Sequence, residues 1–161
     1  MAEITDGRVW NPRHDHDICI DDAVEAAARV CEERGVRLTD LRRRVLELVW
    51  DSHKPVGAYA VLEQLQGERA GAQPPTVYRA LDFLTDQGLV HRIQSLNAYV
   101  GCAHPEHPHR GMFLICGECG DAMEVEDTGI DRAIYRTAQR VEFDVQGCTL
   151  EATGLCHRCQ E

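Results

Sequence analysis

Apolar positions recur at helical spacing four times in the first part of the chain, and then give way to short alternating runs. Ala23, Ala26, Ala27, Val30 and Cys31 form the first stripe and predict an amphipathic helix. Asp21 and Asp22 suit its start, where carboxylates meet the positive end of the dipole, and Gly35 suits its end. Leu41, Val45, Leu48 and Val49 form the second stripe, with Thr39 as N-cap of a helix running to about Asp51. Ala58, Val61, Leu62 and Leu65 form the third, after the break at Pro55 and Gly57; residues 67–73 read as a loop. Val77, Ala80, Leu81 and Leu84 form the fourth, started by Pro74 and Pro75 and stopped by Gly88.

Residues 89–94 and 98–101 are strand-like runs around a Ser95-Leu96-Asn97 turn. Helices closed by such a hairpin predict a winged helix-turn-helix. The second part changes character. A histidine- and proline-rich link over 104–110 leads to strands at 111–115 and 121–126, a helix at 129–141 and a strand at 143–153. The predicted fold class is therefore α+β. A tail (1–20) precedes a winged-helix domain (21–101) and a small α/β domain (102–161).

Cys116-Gly117-Glu118-Cys119 and Cys156-His157-Arg158-Cys159 are two CxxC pairs with 36 residues between them. Each puts two thiols on one tight turn, and four thiolates close a tetrahedron around zinc. Two disulfides or four free thiols are the alternative. Such a site has no open position, so it holds shape and does no chemistry. His14, Asp15, His16, Asp17 and Cys19 form a smaller cluster of possible ligands in the tail.

No apolar run is long enough to span a bilayer, and residues 1–13 lack the apolar core of a signal peptide. The expectation is a cytoplasmic protein without a membrane partner. Eight cysteines and eight histidines in that reducing setting favour metal over disulfides. The net charge of −10 argues against nucleic acid until the chain is divided. Residues 34–101 carry nine basic and seven acidic groups and are net +2, whereas 1–33 and 102–161 are each −6. Arg34, Arg37, Arg42, Arg43 and Arg44 crowd one helix start, and local charge decides whether a phosphate backbone can approach. A solvated helix face is the plainer reading. Neither HExxH nor a nucleophile elbow occurs, so no enzyme is expected.

The runs Arg37-Leu38-Thr39-Asp40-Leu41-Arg42 and Pro75-Thr76-Val77-Tyr78-Arg79-Ala80-Leu81-Asp82-Phe83-Leu84, followed by the two CxxC pairs, resemble the ferric uptake regulator family. The similarity runs from about residue 21 onward and is greatest to its zinc uptake regulator branch. The resemblance implies a homodimeric transcriptional repressor that binds a near-palindromic double-stranded operator, with zinc as corepressor and 102–161 as the dimerisation half. It implies a regulatory zinc site of His91, Cys102, His109 and Glu124 beside the structural one, about two zinc ions per chain. His104 and His107 compete with His109 for its place. It also implies DNA contacts from Arg42, Tyr59, Thr76, Tyr78 and Arg79, with Arg79 placed to fork onto a guanine; packing under the helix is the other reading of Tyr78. An iron or peroxide sensor is the alternative within the family. The stretch His107-Pro108-His109-Arg110-Gly111-Met112 lacks the aspartate of the iron-type run, which weakens it.

Overall fold

The computed structural model describes residues 16–51, 54–107, 109 and 111–160. Four helices come first: α1 (His16–Glu33), α2 (Asp40–Trp50), α3 (Ala58–Glu68) and α4 (Pro74–Asp86). Helix α1 starts five residues before the predicted Asp21, at the first described residue. Of the tail cluster, His14 and Asp15 lie outside the described residues.

The caps have local causes. The Thr39 hydroxyl accepts the Arg42 N–H at 3.3 Å and opens α2. Helix α1 ends with Val36 N–H to Cys31 O (2.9 Å) and Gly35 N–H to Glu32 O (3.0 Å), around Gly35 at φ 66°. Helix α4 ends the same way, with Leu89 N–H to Leu84 O (2.8 Å) and Gly88 at φ 65°. Both are glycine-terminated Schellman closures.

The hairpin pairs β1 (Val90–Ile93) with β2 (Ala98–Gly101), His91 opposite Val100 and Ile93 opposite Ala98. Val56 adds a bridge to Tyr99, with backbone bonds of 2.9 and 2.8 Å. The helical stripes and the near side of the hairpin close one core, in which Val45, Val61, Leu65, Leu81 and Leu84 are fully buried.

A second sheet has the order β4-β3-β5, with β3 (Met112–Cys116) central. Strand β4 (Ala122–Glu124) runs antiparallel to it and β5 (Leu150–Gly154) parallel. The parallel pairing needs the crossover that α5 (Thr128–Gln139) provides. The strand predicted over 143–153 is only Leu150–Gly154. Glu142 adopts φ 55° as α5 closes, and Val141 and Phe143 emerge into solvent (72% and 66% exposed), so the alternation there has no strand to pair with in the single chain.

Ile93, Phe113, Ile115 and Ala122 make a second buried cluster with Val100 against it. It joins the hairpin to the second sheet. Burying a Phe113-sized side chain contributes about 1.5–3 kcal/mol, so the two sheets are held by apolar contact as well as by polar groups.

Candidate metal centres and nucleic-acid interface

The sulfurs of Cys116, Cys119, Cys156 and Cys159 lie within 4.8 Å of one another. Cys116 ends β3, the turn carrying Cys119 returns into β4, and Cys156 follows β5. Parallel pairing of Cys116 with Gly154 therefore brings the distant CxxC alongside the first. Gly120 at φ 77° lets the knuckle close, its N–H donating to Cys116 O at 3.0 Å. Cys119 Sγ and Cys156 Sγ are 3.8 Å apart, nearly twice a disulfide bond, and all eight cysteines are free or, for these four, clustered thiols. With Zn–S bonds of about 2.3 Å a tetrahedron has edges of about 3.8 Å, so the donor set fits zinc. The backbone N–H groups of Cys119 and Cys156 pull the Cys116 thiol down to about 6. Sharing a proton with the Cys156 sulfur pushes Cys159 up to about 12. The four sulfurs thus crowd charge that a divalent cation would neutralise. The Arg158 guanidinium also pairs with the buried Asp121 carboxylate beside the knuckle.

His91, Cys102, His109 and Glu124 form the second four-donor cluster, again within 4.8 Å. His91 projects from β1, and Cys102 follows β2 with its N–H on Leu89 O at 3.1 Å. Glu124 ends β4 opposite Phe113. His109 Nε2 lies 3.2 Å from His91 Nε2, 3.4 Å from Cys102 Sγ and 2.7 Å from Glu124 Oε1. His91 Nε2 is 2.8 Å from the same oxygen. Tetrahedral edges for bonds of about 2.0–2.3 Å are about 3.3–3.8 Å, so these atoms sit slightly inside a zinc shell, as hydrogen-bonded donors do.

The outer groups leave the right atoms facing inward. His109 Nδ1–H donates to His107 O at 2.7 Å, which leaves Nε2 facing the cluster. Ala103 N–H reaches Glu124 Oε2 at 3.4 Å and leaves Oε1 for the cluster. The Phe113 ring meets His91 edge-on, centroids 5.4 Å apart. Burial opposes charge on Glu124, yet hydrogen bonds from His109 and His91 hold its carboxyl at about 2. Burial also pulls His91 down, but Cys102 and Glu124 outweigh it and raise the imidazole to about 9. Cys102 and Glu124 raise His109 to about 11. Burial works against the Cys102 thiolate, and the two imidazoles lower it nonetheless. The cluster is an ion-paired set whose protons a metal would displace. His104 and His107 are absent from both clusters, so the geometry favours His109 among the three.

Trp50 and Gly101 brace this centre and carry no mark in the hydrophobic pattern. A Cβ on Gly101 would stand 2.1 Å from the Trp50 ring, so α2 packs directly on the backbone leading into Cys102. Gly101→Ala is expected to cost about 1–3 kcal/mol through overpacking, read as a lower denaturation midpoint. Adding Trp50→Leu should recover part of that loss, and no recovery would exclude the clash as its cause.

The other predicted site residues are spread over α2, α3 and α4. Arg79 is exposed on α4 and has no partner among the described residues. Tyr59 on α3 is 70% exposed and Tyr78 39%, and they meet edge-to-face at 6.5 Å, so Tyr78 is not packed under its helix. Thr76 is half-buried in the first turn of α4. Arg42 lies 3.5 Å over the Phe83 ring and donates to Arg37 O. Arg44 pairs with Glu47 and Glu68, and Arg34 donates to Gln87 O at the end of α4. Part of the arginine crowd is thus engaged within the protein, leaving Arg37 and Arg43 exposed.

The family model of the ferric uptake regulator family matches residues 33–153. The chain is 39% identical over 136 residues to the zinc uptake regulation protein of Escherichia coli (strain K12), covering 84% of this chain and 80% of that one. It superposes on a zinc uptake regulator complexed with zinc and DNA with a TM-score of 0.84 and 37% identity, over 88% of this chain and 95% of that one. For holo XcZur the values are 0.80 and 45%, over 87% and 98%. For apo XcZur they are 0.52 and 44%, over 89% and 99%.

Proposed function

Because the chain belongs to the ferric uptake regulator family, we propose that it is a zinc-responsive DNA-binding transcriptional repressor, with zinc as corepressor, controlling genes of zinc uptake and homeostasis. The observation that carries this reading is the cluster of His91, Cys102, His109 and Glu124, whose donors come from the winged helix and from the second sheet. Two nitrogens, one sulfur and one carboxylate oxygen suit tetrahedral zinc. The thiolate disfavours the oxygen-rich iron and peroxide-sensing alternative.

Residues 21–101 would bind DNA and 102–161 would dimerise. Cys116, Cys119, Cys156 and Cys159 would hold a structural zinc, and the mixed cluster a regulatory one, two per chain. Zinc would supply a positive charge binding four donors at once. His91 on β1 and Glu124 on β4, drawn to one point, fix the angle between α4 and the second sheet. Near-equal identity but unequal superposition on the two XcZur forms supports an arrangement that changes with metal, and this chain has the holo-like one. Leu114, Ile130, Tyr135 and Leu155 are exposed around the second sheet and α5, an apolar face that a second copy would cover. Among the described residues no helix is long and apolar enough to cross a membrane.

A two-fold dimer would present two α4 helices to successive major grooves of a near-palindromic operator. Arg79 would read base edges, Thr76, Tyr78 and Tyr59 would flank it, and Arg42, stacked on Phe83, would hold the surface beside the phosphates. The direct test is selection of duplexes from a random pool at buffered free zinc. A near-palindrome should be enriched with zinc and lost with chelator; equal binding in both would overturn the reading. On the selected duplex, Arg79→Ala should lose about 1–3 kcal/mol and relax one position of each half-site. Equal weakening on scrambled DNA would instead make Arg79 a phosphate contact.

A further inference from the structure

Glu151 lies outside both metal clusters and outside the DNA-facing helices. It sits on β5, paired in register with Phe113 on β3. Its two carboxylate oxygens accept the N–H groups of Gln94 (2.7 Å) and Ser95 (3.1 Å) at the tip of the β1–β2 hairpin. Those donors are 57 and 56 residues away, so this is no local turn contact. A hydrogen bond with the Ser95 side chain, and after it the same backbone bonds, lower the Glu151 carboxyl from its ordinary value.

We infer that Glu151 is a positioning residue that straps the wing to the dimerisation sheet and gives the zinc-dependent arrangement its second anchor. The inference rests on the zinc-responsive reading. The geometric argument is elementary. Attachment at the metal cluster alone, through His91 and Cys102, leaves the winged helix free to pivot about that point. His91 and Ile93 share one face of β1 by the period of two. Ile93 packs in the cluster with Phe113, and Glu151 holds the next two residues. At about 3.3 Å per residue the second anchor stands about 10 Å from the first, which removes the pivot. Phe113 and Glu151 are register neighbours in a parallel pair, so one apolar and one charged contact leave the same face of the second sheet. Bonds from neutral N–H groups to a carboxylate are stronger than neutral ones, and both oxygens are used.

Glu151→Gln keeps the shape but turns an amide donor toward an N–H. In the full-length zinc-loaded protein, amide exchange at Gln94 and Ser95 should quicken about tenfold, while β3 and β5 stay protected. The free zinc for half-maximal binding of the selected duplex should rise about tenfold, with two zinc per chain and dimer mass unchanged. Ser95→Pro removes the Ser95 N–H and hydroxyl from the other side and leaves the Gln94 N–H in place. Its position, one residue into the turn closed by Asn97 N–H to Gln94 O (3.2 Å), accepts proline. It should shift the midpoint the same way by less. Equal exchange at Gln94 and Ser95 in wild type and Glu151→Gln would overturn the strap. So would a midpoint shift in Glu151→Gln that comes only with lost dimer mass and lost protection of β3, since Glu151 would then be a folding residue. A wild type that binds DNA without regard to zinc would sink the functional reading instead, and the exchange result would still judge the strap.

Discussion

Cys156→Ser is expected to leave the winged helix folded and the second half without a fixed shape. Among the described residues the buried apolar cluster of that half comprises Phe113, Ile115 and Ala122, completed by Ile93 from the wing. Set against it, a structural zinc in a small module contributes an apparent binding free energy of about 10–16 kcal/mol, comparable to the whole stability of an ordinary domain. Cys156 is the member to remove because it is buried, its sulfur lies 3.8 Å from Cys119 Sγ, and its N–H donates to Cys116 Sγ at 3.4 Å. Losing its thiolate would take away one of the two ligands that the segment after β5 offers to an ion shared with Cys116 and Cys119. The expected results are a chain that elutes as a monomer, retains the helical circular dichroism of α1 to α4, and shows fast amide exchange across β3, β4 and β5. The same state should follow when a strong chelator strips wild type under reducing conditions. A dimer with protected β3 and β5 amides in Cys156→Ser would mean that apolar packing alone holds the sheet.

Much of the winged helix was legible because its signals are local. Each helical stripe needs only its own residues, and Thr39, Gly35 and Gly88 act on the turn beside them. The CxxC pairs were legible for the same reason, since two thiols on one turn have few other uses in a reducing setting. The parallel partnership of β3 and β5 was not, because alternation marks a strand without naming its neighbour. Alternation also overran its element: Phe143 keeps the period but is exposed, outside the strand that begins at Leu150. The arginine crowd misled in part, since charge counted along the chain cannot show that Arg44 faces Glu47 and Glu68, or that Arg42 lies flat on Phe83.

The mixed cluster shows the limit most clearly. His91, Cys102, His109 and Glu124 follow no metal spacing, and each alone reads as an ordinary wing, link or strand residue. Only the family resemblance grouped them. Three registers bring them to one point: the hairpin that aims His91, the β3–β4 pair that aims Glu124, and the backbone bond from Cys102 to Leu89. Glu151 acts through a contact between halves, Trp50 and Gly101 through the contact of α2 with β2, and none of the three had a sequence signal. The four donors of the mixed cluster are therefore brought together by tertiary structure, while the four-cysteine cluster is written in short motifs.

Cys102→Ser should produce a folded dimer that no longer answers zinc in the working range. Cys102 is 3% exposed, belongs to no part of the four-cysteine site, and sits where β2 leaves the wing. Serine keeps the volume but replaces a soft thiolate by a hydroxyl that stays protonated, so the site loses a ligand and its preference for zinc. Loss of an outer-shell partner alone costs about 10–100-fold in metal affinity, so loss of a ligand should raise the required free zinc at least about 100-fold. Turning a mostly incompetent dimer into a mostly competent one takes about 10⁴-fold differential affinity, or about 100-fold from each of two sites. The variant would forfeit about that share at each site and remain mostly in the incompetent arrangement. The measurements are metal content, dimer mass and binding of the selected duplex across buffered zinc. One zinc per chain, an intact dimer and a midpoint displaced beyond the wild-type range is the expected set. An unchanged midpoint with unchanged maximal affinity would show that the mixed cluster is not the switch, and that wing and sheet are held together by packing and by Glu151 alone.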